Sequence, residues 1–183
     1  MPVVDFKDLP AASRVWVFAS DKPLTGSDAT KLLATVDGFL AQWKAHGAPL
    51  RSAREWRDDR FLAIGVDPTA EQASGCSIDG LFRGLRELER ELSTTLVAGG
   101  RVFYRDGSGS VTKAARKDVP ALFERGAIDA TTPIFDTSLT DAASYRSRFE
   151  QPARDSWVAS LVPNQASQPS SRSATNASSA RNG

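Results

Sequence analysis

Six residues without a polar side chain, Phe61–Val66, constrain the fold of this chain more than any other stretch. A run of this length and composition predicts a strand in the middle of a sheet, where both faces are covered. The charged residues 57–60 before it predict a turn. Residues 50–56 carry three charges and predict the edge arm of the same hairpin, because charge deters pairing with other chains.

Two amphipathic helices and two further strands surround this hairpin. The apolar run Arg14–Ala19 predicts a buried strand. Apolar residues at helical spacing predict one helix from Ser27 or Asp28 to Gly47, and a second helix that starts in the run around Cys76. A fourth strand is predicted over Arg101–Arg105.

The order strand, helix, strand, strand, helix, strand predicts an α/β (α+β) fold with a ferredoxin-like split βαβ core (βαββαβ). This core covers residues 14–105, and the weaker signals over residues 106–158 predict a C-terminal helical extension of the same domain, 1–158. Residues 159–183 are rich in Ser, Asn and Ala, and no Leu, Ile, Val or aromatic residue occurs from Pro163 onwards. Such a segment has nothing to bury and is predicted to be a disordered tail.

The charge balance and the single cysteine narrow the classes of function. The 23 Lys and Arg residues and 22 Asp and Glu residues give a formal net charge of +1, so nucleic acid is not an expected partner. One cysteine and the absence of a signal-like or membrane-spanning run predict a cytoplasmic protein without membrane contact. No phosphate-binding loop of the Walker A type occurs, which excludes ATP hydrolysis by that machinery. No cofactor is predicted, and the oligomeric state stays open.

The run at residues 74–79 opens the second helix and holds the only cysteine. Free backbone N–H groups and the positive end of the dipole at a helix start favour a thiolate or a bound anion. In the split βαβ order, this helix start lies at the same end of the sheet as the end of the first helix. The residues predicted to meet there are His46, Asp67, Ser74, Gly75, Cys76, Ser77, Asp79 and Arg105.

Three interpretations of this end of the sheet stay open. In the first, Cys76 is a nucleophilic or redox-sensing thiol, His46 deprotonates or pairs with it, and Asp79 or Asp67 orients the imidazole. In the second, a small anion binds in a polar pocket. Its ligand-binding residues are Ser74, Gly75, Ser77, Asp67 and Arg105, and Arg14 is a second source of positive charge.

The third interpretation is structural. Cys76 is then a small buried apolar residue, Ser74 or Ser77 caps the helix, and His46 complements the end of the first helix. Mixed ligation of a metal by Cys76, His46 and nearby carboxylates lacks the spacing of zinc-binding motifs, so no metal site is predicted.

Four short segments resemble a family of small bacterial proteins of uncharacterised function. They are residues 43–47 (WKAHG), 60–67, 74–79 (SGCSID) and Ser156-Trp157. The resemblance spans roughly residues 14–157. Members of the family often bear the label ABC transporter ATPase. The resemblance implies a cytoplasmic bacterial protein. It identifies no catalytic residue in this chain.

Together these observations predict a non-catalytic binding or interaction module with a polar pocket at the His46/Cys76 end. The expected partner is a small anion or another protein. The alternative is a thiol-dependent enzyme or redox sensor that uses Cys76 with His46.

Overall fold

The computed structural model describes residues 3–69, 73–96 and 99–161, and these form a mixed α and β structure. The helices are α1 Gly26–Gln42, α2 Gly75–Glu91, α3 Val119–Glu124 and α4 Ala142–Arg148. The strands are β1 Arg14–Ala19, β2 Lys44–Ala45, β3 Ala48–Pro49, β4 Ser52–Arg57, β5 Phe61–Val66, β6 Arg101–Arg105, β7 Val111–Ala115, β8 Pro133–Phe135 and β9 Glu150–Pro152.

The first sheet has the antiparallel order β1-β5-β4, with β5 in the centre. All six residues of β5 are buried. Leu62, Ile64 and Val66 pack in one cluster of buried side chains, whereas Phe61 and Ala63 pack in another on the opposite face. The predicted hairpin and its buried central arm are therefore confirmed.

Helices α1 and α2 cover one face of this sheet. The buried residues of α1 recur at helical spacing, at Leu32, Val36 and Leu40, and those of α2 do the same. Both sets belong to the cluster that contains Leu62 and Ile64. No helix in the described ranges combines the length and apolar character needed to cross a membrane.

A second sheet, with the order β7-β6-β8-β9, covers the other face. The Phe61 ring stacks on Phe135 with centroids 4.6 Å apart and meets Phe103 edge-on at 5.4 Å. Tyr145 of α4 and Phe149, the C-cap residue of that helix, belong to the same cluster. The burial of β5 on both faces therefore depends on helices on one side and on a sheet with α4 on the other.

The fourth strand of the predicted ferredoxin-like core occupies a different place. Strand β6 has the predicted bounds but pairs with β7 and β8 in the second sheet. The outer edge of β1, which a fourth strand would occupy, instead donates hydrogen bonds near its two ends. Val15 N donates to Thr140 O (2.9 Å) and Ala19 N donates to Leu96 O (3.2 Å). The first three strands take the expected order, but the complete arrangement is not confirmed.

Strand β6 pairs with β7 rather than with β1 because β7 is much closer along the chain. Only residues 106–110 separate it from β7, so this hairpin forms locally, whereas pairing with β1 closes a loop of about eighty residues. The predicted boundary between the core (residues 14–105) and the extension (residues 106–158) consequently falls inside the β6–β7 hairpin. The 106–158 segment, expected to be helical, supplies β7, β8 and β9 as well as α3 and α4.

Two further boundaries differ from the sequence-based expectation. Helix α1 ends at Gln42 rather than Gly47, because residues 44–49 form the small β2–β3 hairpin. His46 and Gly47 form its turn with φ of 51° and 85°, as a two-residue hairpin turn requires. The first three residues of the expected disordered tail, 159–161, belong to the 3₁₀ helix Trp157–Leu161. The rest of that prediction, residues 162–183, lies outside the described part.

Gly65 in the central strand provides a test of this packing. A Cβ at Gly65 would overlap Leu9 Cδ1 and would lie 3.3 Å from Phe6 Cε2. Both side chains are buried, so neither can move away freely. We expect Gly65→Val to lower the free energy of unfolding by about 1–3 kcal/mol, measured by urea denaturation.

The matched control is Gly38→Val on α1. A Cβ at Gly38 has no neighbour within 4 Å, so this variant should be as stable as the wild type or slightly more stable. Equal losses in the two variants would contradict the packing argument.

Candidate functional site

The end of α1 and the start of α2 meet at one end of the first sheet, as predicted. Trp43 caps the C-terminus of α1, and its indole Nε1 donates to Ser77 O in the first turn of α2 at 3.0 Å. Two backbone hydrogen bonds, from Leu50 N to Trp43 O and from Asp67 N to Arg51 O, connect this junction to the hairpin strands.

Ser74 is the N-cap of α2. Its hydroxyl oxygen accepts a hydrogen bond from Ser77 N at 3.3 Å, and the Ser77 hydroxyl donates to Ser74 O at 2.8 Å. The predicted cap is therefore confirmed at Ser74, while Gly75 is the first helical residue. No described residue accepts from the N–H groups of Gly75 and Cys76, which leaves two donors at the positive end of a 17-residue helix.

Cys76 is exposed, so the expectation of a small buried thiol is wrong. The reason is helical geometry. The buried stripe of α2 runs through Leu81, Leu85 and Leu88, and Cys76 lies five residues before Leu81, about 140° around the helix. Asp79 is exposed as well.

His46 is exposed in the β2–β3 turn. Within the described residues, no hydrogen bond or ion pair joins its ring to Cys76 or Asp79. A catalytic role for Cys76, His46 and Asp79 stays a prediction. No group of three His, Cys, Asp or Glu side chains suited to a metal ion occurs in the described part of the chain.

Asp67 is buried directly after β5, and both of its carboxylate oxygens accept hydrogen bonds. Thr69 donates to its Oδ1 from the hydroxyl at 2.6 Å and from the backbone N at 2.9 Å, and Arg51 Nη1 donates to its Oδ2 at 2.7 Å. These bonds, first of all that from the Thr69 hydroxyl, hold the pKa of Asp67 below its usual value, and the Arg51 charge adds to the effect.

Arg105 lies at the opposite end of the sheet, so its predicted proximity to Asp67 is wrong. Arg105 Nη2 donates to Asp58 Oδ1 at 3.1 Å and Nε donates to Glu150 Oε1 at 2.8 Å. Asp58 lies in the turn before β5 and Asp67 follows that strand, which has six residues and spans about 17 Å. These carboxylates raise the pKa of Arg105, with the Glu150 hydrogen bond as the largest cause. The physical reason for the error is the transfer of β6 to the second sheet.

Besides Arg51, which pairs with Asp67, the predicted end contains Arg14. It lines a cavity of about 120 Å³ together with Val66, Pro68 and Ala73. Its guanidinium carbon lies 4.6 Å from the centre of the Trp16 ring, and no ion pair joins it to a described carboxylate. The cavity borders the start of α2, because Ala73 immediately precedes the N-cap Ser74.

The partnership of Arg51 with Asp67 was not predicted, although a signal for it exists. Strands β4 and β5 pair with Ser52 opposite Val66, so the hairpin register alone puts Arg51 opposite Asp67. The contact of residues 137–140 with the edge of β1 has no comparable signal, since it depends on the path of a loop that periodicity does not describe.

Asp67 supports a pH-dependent test. Because its pKa is depressed in the folded state, its contribution to stability is present above the unfolded value of about 3.9 and is lost as the pH falls through the lower folded value. We expect Asp67→Asn to lower the free energy of unfolding by about 1–3 kcal/mol at pH 7. The deficit relative to the wild type should shrink below about pH 4, measured by urea denaturation across the pH range.

The control is Asp59→Asn, which replaces an exposed carboxylate in the β4–β5 turn by a residue that tolerates positive φ. It should change stability by less than about 0.5 kcal/mol. A deficit of Asp67→Asn that is the same at pH 7 and pH 3 would refute the electrostatic explanation.

The chain was compared with protein-family models, with curated proteins and with solved structures, and none of them matches it. Its function is therefore inferred from the residues at the sheet end and from their chemistry.

Proposed function

We propose that the protein is a non-catalytic binding module that holds a small anion between Arg14 and the start of α2. The observation that carries this proposal is the exposed Arg14, which has no carboxylate partner among the described residues and lines a cavity beside the N-terminus of a long helix. Arginine recognises oxyanions through paired N–H donors, and a helix N-terminus supplies further N–H donors and positive potential.

The surroundings of Arg14 keep its charge available to a ligand. Its guanidinium lies over the Trp16 ring, a contact that restrains the side chain and leaves its N–H donors free. The buried carboxylate that follows β5, Asp67, is offset by Arg51 at 2.7 Å. The charge of Arg14 is therefore not balanced by a described carboxylate.

The size and the lining of the cavity define the ligand class. About 120 Å³ is well below the roughly 300 Å³ at which pockets for drug-sized ligands begin, which favours a small oxyanion such as phosphate or sulfate over a larger ligand. Among the described residues that line the cavity, Arg14, Val66, Pro68 and Ala73, none is a nucleophile or a general base, which favours binding over catalysis.

Two finer assignments belong to the same proposal. The order β1-β5-β4, with α1 and α2 on one face, supports a ferredoxin-like origin of the first sheet. The SGCSID motif and the WKAHG segment support membership of the bacterial family that the sequence resembles, and hence a cytoplasmic location.

Inorganic phosphate is the probe for the anion site. At ten times its dissociation constant it should stabilise the protein by about 1.4 kcal/mol and raise the melting temperature by about 3–5 °C, measured by differential scanning calorimetry at constant ionic strength. Arg14→Gln should abolish this rise.

The control Arg86→Gln, at an exposed position on α2, should retain it. A rise of equal size in Arg14→Gln and in the wild type would exclude the site.

The exposure of Cys76 favours a second candidate function, a reactive or redox-sensing thiol. The test is the rate of alkylation by iodoacetamide from pH 6 to pH 10. For an ordinary thiol of pKa about 8.5 the rate rises about 25-fold between pH 7 and pH 9. A functional thiolate predicts less than a threefold rise, and a lower rate at pH 7 in His46→Asn if the imidazole assists. A 25-fold rise would remove this candidate.

A further inference from the structure

The outer edge of β1 borders the second cavity relevant to function. Its volume is about 260 Å³. It lies where a ferredoxin-like sheet would carry its fourth strand, between the helical layer and the loop at residues 137–140. We propose that this cavity binds one extended peptide group, a neutral ligand class different from the anion at Arg14.

The backbone of Val17 supplies the recognition chemistry. Alternate residues of a strand direct their N–H and C=O groups to opposite edges. Val15 N and Ala19 N donate outward, to Thr140 O and Leu96 O, so the N–H and C=O groups of Val17 also point outward. No described residue pairs with them. A free donor and a free acceptor on one residue match one residue of an added strand, which exchanges two hydrogen bonds with it.

The walls of the cavity select a neutral, partly apolar ligand. They include Phe82 from α2, Leu96, and Leu139 from the loop. None of the described lining residues carries a charge. A charged ligand would lose its hydration without gaining a counter-charge, whereas a peptide group with small apolar substituents satisfies both the walls and Val17.

The length of the ligand is limited at both ends. The hydrogen bonds at Val15 and Ala19 occupy the strand edge on either side of Val17, and four residues of strand span about 13 Å. A strand of ordinary length would displace Thr140 or Leu96. The cavity therefore accepts a single residue flanked by two amides rather than a long peptide.

The probe is N-acetyl-L-valine methylamide, titrated into ¹⁵N-labelled protein and followed by NMR. We expect saturable shifts of the Val17 and Leu139 amide signals, with a dissociation constant in the millimolar range. The analogue methylated on the valine nitrogen should bind about tenfold more weakly, because it cannot donate to Val17 O. A pentapeptide of valine and alanine should also bind about tenfold more weakly.

The variant control is Thr137→Phe, which fills the cavity from its rim and should abolish the shifts; unchanged signals from α1 show that it is folded. Inorganic phosphate should not displace the probe, so a failure here and a failure of the anion site are separate results. The proposal is overturned if no saturable shift occurs at Val17, or if the methylated analogue or the pentapeptide binds as tightly as the probe.

Discussion

The burial of β5 on both faces is the constraint on which the rest of the structure depends. Its side chains alternate between two clusters of buried residues, and removal of either covering layer would expose half of them to water. Phe61 shows how β5 depends on its covering layers. Its ring contacts Phe103, Phe135 and Phe149, and all three lie beyond position 100 in the chain. The first sheet is thus complete only when the C-terminal third of the chain packs against it.

Two arginines at opposite ends of this sheet, Arg105 and Arg14, differ in whether a carboxylate pairs with them. Arg105 donates to Asp58 and Glu150, so its charge is used to join the second sheet to the β4–β5 turn. Arg14 stacks on Trp16 and has no carboxylate partner among the described residues. An arginine that is already paired holds structure together, whereas an unpaired one beside a helix start is available to an anion. This contrast explains why the candidate site includes Arg14 and excludes Arg105.

The sequence predicts local structure far better than it predicts which strands pair. Residues 61–66 predict β5 because a short apolar run after a charged turn is typical of a buried strand. Ser74 predicts the start of α2 because its hydroxyl can accept a hydrogen bond from a backbone N–H of the first turn. The position of β6 depends on competition between a local hairpin with β7 and a distant pairing with β1, and the apolar pattern of residues 101–105 does not show which partner the strand takes.

The candidate site shows the same division. Ser74, Cys76 and Asp67 lie at the expected end because they follow β5 in the chain. Arg105 does not, because its place depended on the pairing of β6. The exposure of Cys76 follows from the phase of the α2 stripe once Leu81, Leu85 and Leu88 are known to be buried.

The separation of β1 from β5 along the chain has a consequence for biosynthesis. Roughly forty residues lie between the end of β1 and the start of its partner strand β5. At about 5–20 residues per second, several seconds pass between the emergence of the apolar β1 segment from the ribosome and the emergence of β5. During that interval both edges of β1 are unpaired, so this apolar segment is open to association with other chains while the nascent chain is still attached.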